Sequence, residues 1–161
     1  MTNTVKQILG EDISGSTDTD VTADAFLQSG PRTIDHGNGI TQIFDGDGNE
    51  SWYRNGELHR DVDKPAVVRA DGALFWYRDG LLHRDNDLPA KTWVSGTMAW
   101  YRNDRHHRDG DKPAVIHSDG SQEWWVDGRM HRGGGKPAYI GSDGREEYWL
   151  NDQCVRKTTK P

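Results

Sequence analysis

The sequence predicts an all-β fold built as a linear array of β-hairpin repeats, and three observations carry that expectation. The stretch "WYRNGELHRDVDKPAV" from Trp52 returns every 24 residues: as "WYRDGLLHRDNDLPAK" from Trp76, "WYRNDRHHRDGDKPAV" from Trp100 and "WWVDGRMHRGGGKPAY" from Trp124. A fixed period of this length is the mark of a repeat architecture. Within each period, Asn-Gly and Asp-Gly pairs separate short alternating runs, the pattern of hairpin turns. Only 32% of the 161 residues are hydrophobic and the mean hydropathy is −0.95, too little for a thick core. Seven Trp and five Tyr nevertheless argue against a disordered chain.

Taken in order, residues 1–33 show no repeat and read as an acidic N-terminal arm, partly disordered or helical. "VKQILG" and "TADAFLQSG" each have the length of a short helix, and "SGSTDTD" between them has linker composition. Residues 34–161 form the array. A half-repeat leads in at "IDHGNGITQIFDGDGNES", and another closes at "YWLNDQCVR". In "PAVVRADGALFWYRDGLLHR", residues 65–84, one run precedes Asp71-Gly72 and a second ends at Asp79-Gly80. "LLHR" has the length for a short third strand, and Pro89 keeps the end of the following loop extended. Strand alternation puts Leu74, Trp76 and Arg78 on one face and Phe75 and Tyr77 on the other. Glu50, Gln122 and Glu146 stand in the outer units where Leu74 and Met98 stand in the inner ones, as expected of a solenoid with wetter ends. Adjacent strands lie about 4.8 Å apart, so a two-strand unit advances roughly 10 Å and equivalent side chains stay that far apart.

The charge is −6 and uneven. Residues 1–50 hold the acidic excess, while residues 51–161 carry 18 basic and 17 acidic side chains and no basic block. Nucleic-acid binding wants a basic face, so it is not expected. One cysteine, Cys154, allows no internal disulfide and, with no apolar N-terminal run, points to a reducing, cytoplasmic setting. No apolar stretch is long enough to span a membrane.

The unit aromatic-Tyr-x-Asn-Gly-x-x-His-Arg with a later Pro-Ala, as in "WYRNGELHRDVDKPA", resembles the MORN repeats of bacterial, phage and giant-virus proteins and the related repeats of YwqK-type antitoxins. The likeness covers about residues 35–156. It implies an elongated, twisted, largely single-layer sheet of hairpins that serves as a protein-binding scaffold. The chain departs from the MORN pattern in placing Arg60, Arg84, Arg108 and Arg132 after the histidine, where MORN units favour Gly.

Candidate chemistry is tested against that spacing. "HRD" at His59, His83 and His107 matches the start of a kinase catalytic loop, but the fifth residue after Asp61 is Ala66 instead of Asn, and no glycine-rich loop precedes it. His59 with Asp61 and Asp63, and the equivalent sets, have metal-ligand chemistry, yet histidines roughly 10 Å apart cannot share one ion. The fourth unit replaces both acids with Gly133 and Gly135. A structural ladder of His59, Arg60, Asp61, His83, Arg84, Asp85, His107, Arg108, Asp109, His131 and Arg132 is the stronger reading, because Arg offers a fork for carboxylates. "DGDGNE" at 45–50 opens like a calcium loop, but Glu50 and Gly56 occupy its invariant Gly and Glu positions, so a turn is expected.

The remaining candidates are the aromatic and arginine rows: Trp52, Tyr53, Arg54, Trp76, Tyr77, Arg78, Trp100, Tyr101, Arg102, Trp124 and Trp125. A thin sheet cannot cover both its faces, and Trp, Tyr and Arg are the residues enriched in interface hot spots. The competing reading is that these rings pack along the solenoid and cover one another. No cofactor, metal or catalytic residue is expected. The sequence predicts a non-enzymatic protein-binding module, a small inhibitor, antitoxin or phage-type accessory factor acting by occlusion. The alternative is a binder of a sugar, nucleotide or lipid headgroup stacked on the rings and clamped by Arg. The protein partner has no identity in the sequence, and homo-oligomerisation is left open.

Overall fold

The computed structural model describes residues 30–159, so the expectations for residues 1–29 lie outside the described residues. Among the described residues there are strands and turns and no helix. The strands are β1 (Arg32–Gly37), β2 (Ile40–Phe44), β3 (Glu50–Arg54), β4 (Glu57–Leu58), β5 (Val67–Val68), β6 (Leu74–Phe75), β7 (Tyr77–Arg78), β8 (Leu81–Leu82), β9 (Lys91–Thr92) and β10 (Met98–Ala99). Then follow β11 (Tyr101–Arg102), β12 (Arg105–His106), β13 (Val115–Ile116), β14 (Gln122–Glu123), β15 (Trp125–Val126), β16 (Arg129–Met130), β17 (Tyr139–Ile140), β18 (Glu146–Leu150) and β19 (Gln153–Thr158).

One open sheet runs in chain order, β1-β2-β3-β5-β6-β9-β10-β13-β14-β17-β18-β19, every neighbour antiparallel. It does not close into a barrel. Each repeat adds two strands to this sheet and sends its third sideways: β7-β8, β11-β12 and β15-β16 are separate hairpins along one flank. The array is therefore the expected one of β-hairpin repeats, advancing about 10 Å per unit.

Two turn chemistries produce this layout. At Asp79-Gly80 both residues have positive φ (47° and 76°), the tight two-residue turn that suits the twist of a hairpin. Asn-Gly, Asp-Gly and Asn-Asp pairs repeat it at the other flank tips. The Asp71-Gly72 turn is different. It is a three-residue loop in which Gly72 alone is left-handed (φ 88°), closed by Gly72 N–H to Arg69 O at 2.8 Å and Arg69 N–H to Ala73 O at 2.9 Å. A side chain can therefore occupy the Asp71 position, but not the Gly72 position, without strain. The segment "DGDGNE" also turns: one Asp45 carboxylate oxygen accepts the Asp47 and Asn49 N–H groups, each at 2.9 Å.

What fills the thin core is an alternation of large and small. Cross-strand register places Trp52, Ala66, Trp76, Ala90, Trp100, Ala114, Trp124 and Ala138 in one row, with Trp76 N–H to Ala90 O (2.8 Å) typical of the links. The four alanines are 0% exposed, and Trp76, Trp100 and Trp124 are 5–7% exposed. An indole on every second strand leaves room only for a methyl group on the strand between. The "His-Arg" loops fold over this row, so the face carrying it, here the tryptophan face, is roofed. The opposite, tyrosine face has no such roof among the described residues.

Candidate functional site

The arginine after each histidine is held on three sides. The Arg84 guanidinium stacks on Trp76 at 3.8 Å, donates to both Asp63 carboxylate oxygens (2.7 and 2.8 Å) and reaches Pro89 O at 3.3 Å. Arg108 repeats this on Trp100, Asp87 and Pro113, and Arg132 on Trp124, Asp111 and Pro137. The fork thus goes back to the loop of the preceding repeat and not to the aspartate beside it in the chain. The same loop residue accepts the next indole: Trp76 Nε1–H donates to Asp63 O at 3.1 Å, and Trp100 to Asp87 O at 2.9 Å. Lys112 and Lys136 add to Asp87 and Asp111 at 2.7 and 2.6 Å. These cations, the arginine first, hold both carboxyls far below the ordinary aspartate range.

Arg60 is the end of the ladder. It stacks on Trp52 at 4.1 Å and has Glu50 at 3.6 Å in place of a preceding loop. At the other end Gly135 stands where a fork-accepting aspartate would be, and Arg156 stacks on Tyr148 at 3.6 Å.

The histidines form a second link. Asp79 N–H donates to His59 Nδ1 at 3.0 Å, and Asp127 N–H to His107 Nδ1 at 3.1 Å. Nδ1 being the acceptor, the proton sits on Nε2, which faces Asp61 Oδ1 at 3.0 Å and Asp109 Oδ1 at 2.8 Å. Asn151 N–H meets His131 Nδ1 at 3.3 Å in the same way. His83 lies between Asn103 and Asp85, each at 2.9 Å, and burial holds its pKa below the usual imidazole value. His59, His83 and His107 each fix the turn of the next hairpin to the loop of their own repeat, whereas His131, with Gly133 in place of the aspartate, holds the turn alone. The outward arginines are also paired: Arg54 with Asp79 (2.7 Å) and Asp61 (3.1 Å), Arg102 with Asp127 (2.8 Å), and Arg78 with Asp85.

The tyrosine face is different in kind. Tyr53, Tyr77, Tyr101 and Trp125 are half-buried and stand in a row on it. Phe75, Lys91, Trp93, His106, His117 and Glu123 join them, none of which the repeat pattern singles out. Phe75 and Trp93 meet edge to face at 6.0 Å, and Lys91 Nζ lies 5.1, 5.9 and 5.2 Å from the Phe75, Trp93 and Tyr101 rings. Burial lowers the Lys91 pKa. His106 packs edge-on against Tyr101 (4.2 Å) and Trp125 (5.3 Å), and its Nε2 is hydrogen-bonded to the Tyr101 hydroxyl. Its Nδ1 is the one buried side-chain nitrogen or oxygen without a partner among the described residues, and burial lowers its pKa. Glu123 accepts from Trp125 Nε1 at 2.7 Å and lies 2.8 Å from His117 Nε2. The signal for this cluster was in the sequence as departures from the period. Lys91 stands where other units have Val67, Val115 and Tyr139, and His106 where they have Leu58, Leu82, Met130 and Cys154.

Among the described residues no three His, Cys, Asp or Glu side chains are placed to hold a metal ion. No serine, threonine or cysteine hydroxyl or thiol there is hydrogen-bonded to a histidine. Among the described residues no helix is long and apolar enough to cross a membrane. Fold and site together define an open β-hairpin repeat array with one roofed face and one aromatic face. Neither a protein-family model nor a curated protein matches the chain.

Proposed function

We propose that this chain is a non-enzymatic, MORN-like protein-binding repeat module of the cytoplasm, a small inhibitor, antitoxin or phage-type accessory factor that works by covering a surface of its partner. One observation carries the reading. The polar and cationic groups of the tryptophan face are used up inside the array, whereas the tyrosine face keeps a row of half-buried aromatics with nothing over it among the described residues. Large aromatics on an open face are the usual anchors of protein interfaces. The repeat spacing supports the non-enzymatic part, since equivalent groups roughly 10 Å apart do not meet at a reacting atom.

The test is capture of the partner on immobilised wild type and on a Tyr77→Ser, Tyr101→Ser double variant, followed by affinity measurement on the purified partner. Each lost anchor is expected to weaken binding about 30-fold, from roughly 2 kcal/mol per hot spot, with the far-ultraviolet circular dichroism unchanged. Equal affinity for both proteins would remove the tyrosine face from the interaction.

A second reading, a small-ligand binder, draws on a cavity of about 760 Å³ on the hairpin flank, lined by Tyr101, Arg105, His106, Trp125 and Arg129. Its size is that of an ordinary ligand site. Titration of intrinsic tryptophan fluorescence with nucleotides, sugars and lipid headgroups separates the two readings, a saturable response favouring the second.

A further inference from the structure

The acidic N-terminal segment has a matching surface on its own array. Register fixes one row on the tyrosine face: Ile43, Ser51, Val67, Phe75, Lys91 and Ala99. Lys91 is its only charge, and no carboxylate appears in the row until Glu123. Among the described residues Lys91 makes ring contacts and no ion pair or hydrogen bond, although the ladder lysines Lys112 and Lys136 each hold an aspartate. The acid whose field reaches Lys91 is Asp104, and an Asp104 carboxylate oxygen already accepts the Leu82 N–H at 2.7 Å. A partly desolvated ammonium in an aromatic basin, with no anion paired to it among the described residues, is an unfilled half of an ion pair.

We propose that residues 18–29 dock on this basin, a carboxylate of Asp18, Asp20 or Asp24 meeting the Lys91 ammonium and Phe26 or Leu27 lying against Phe75 and Trp93. Three facts of the chain fit. Residues 1–29 carry Glu11, Asp12, Asp18, Asp20 and Asp24 against a single Lys6. The row begins at Thr33 in β1, opposite Ile43, where that segment joins the sheet. Lys91 lies five strand steps away, about 24 Å. The nine residues from Asp24 to Thr33 reach about 30 Å when extended. The proposal stands without the partner reading, and where both hold the arm competes with the partner for one face.

Carbodiimide coupling of the full chain at high dilution tests it. The reagent joins a carboxylate to an amine as an amide, the carboxylate oxygen leaving in the urea by-product and the amine losing a proton. Lys112–Asp87 and Lys157–Glu147, at 2.7 and 3.1 Å, are internal positive controls. The expected result is a Lys91 cross-link to Asp18, Asp20 or Asp24 in the monomer, found by mass spectrometry and lost in Lys91→Gln. Control links without any Lys91 link overturn the proposal, and so does a Lys91 link confined to covalent dimers, which assigns the face to a second copy. Limiting acetic anhydride gives an independent reading. Lys91 should be acetylated several-fold faster in the Asp18→Asn, Asp20→Asn, Asp24→Asn variant than in wild type, and equal rates again overturn the docking.

Discussion

A single methyl group is the largest side chain tolerated between two indoles of this core. Ala66, Ala90, Ala114 and Ala138 are 0% exposed; the first three have a tryptophan on either side, and Ala138 has Trp124 on one side and Tyr148 on the other. Ala90→Leu adds three carbons where Trp76 and Trp100 leave no space, and overpacking of this kind costs about 1–3 kcal/mol. Urea unfolding should show a lower midpoint with unchanged m, and an unshifted midpoint would mean that the row is looser than its register implies. Val62 presents the reverse case. It has φ 57°, a region costly for any L-residue and most of all for a β-branched one, and it is 84% exposed with no packing in return. Asn86 and Gly110 hold the equivalent place. Val62→Asn is expected to stabilise by about 1 kcal/mol, read as a raised melting temperature. The Trp row was legible in the sequence as a 24-residue recurrence, and so were its two candidate fates. Its burial was not, because the roof over it comes from loops whose arginines reach back one repeat, and that reach has no local sequence signature.

At the scale of the element, the loop is the part that makes neighbouring repeats one body. The loops at 61–65, 85–89 and 109–113 each join the next repeat through an Arg fork, an indole hydrogen bond and a histidine. The sequence showed the His, Arg and Asp of this ladder, with an aspartate directly after Arg60, Arg84 and Arg108. The structure instead pairs Arg84 with Asp63 and Arg108 with Asp87, because the left-handed turn at residues 62–63 and 86–87 aims the second aspartate at the following unit. The linkage has a definite sign. Asp63, Asp87 and Asp111 are held below the unfolded value of about 3.9, chiefly by their arginines. The unfolded chain therefore takes up protons first as the pH falls, and the latch contributes stability above about pH 4 that is lost as the pH drops through the folded values. The carboxylates are 41–48% exposed, so solvent screens the gain. Melting curves between about pH 7 and 2 should fall steeply at the acid end for wild type. An Asp87→Asn, Asp111→Asn variant should start lower and show a shallower acid slope. Parallel curves for the two proteins would mean that the forks add no pH-dependent stability.

For the whole molecule, near-identity of the units implies that one can be removed. Excision of residues 76–99 joins Phe75 to Trp100, which preserves the strand, the Trp–Ala row and the period. Arg108 then stands where Arg84 stood, within reach of Asp63, and the Trp100 indole faces the Asp63 carbonyl. Nothing else needs to move, because β3 and β5 never touch the units beyond their neighbours in the strand order. In a solenoid, stability is roughly a sum of unit and interface terms, so the shortened chain should fold, with fewer terms to sum. It loses 24 of the 130 described residues, and m, which follows the surface exposed on unfolding, should fall by about a fifth. Arg108→Lys in the shortened protein should destabilise it as Arg84→Lys does the parent, since lysine keeps the charge but loses both the fork and the stacked plane. The excision also removes Lys91 and Trp93, the departures from the period that build the Lys91 basin of the tyrosine face, so fold and recognition separate: the shortened array should melt cooperatively yet fail to hold whatever the basin holds. A shortened chain that collapses to an unfolded or molten form would show that the repeats depend on one another beyond their neighbours, and an array of that kind is not additive.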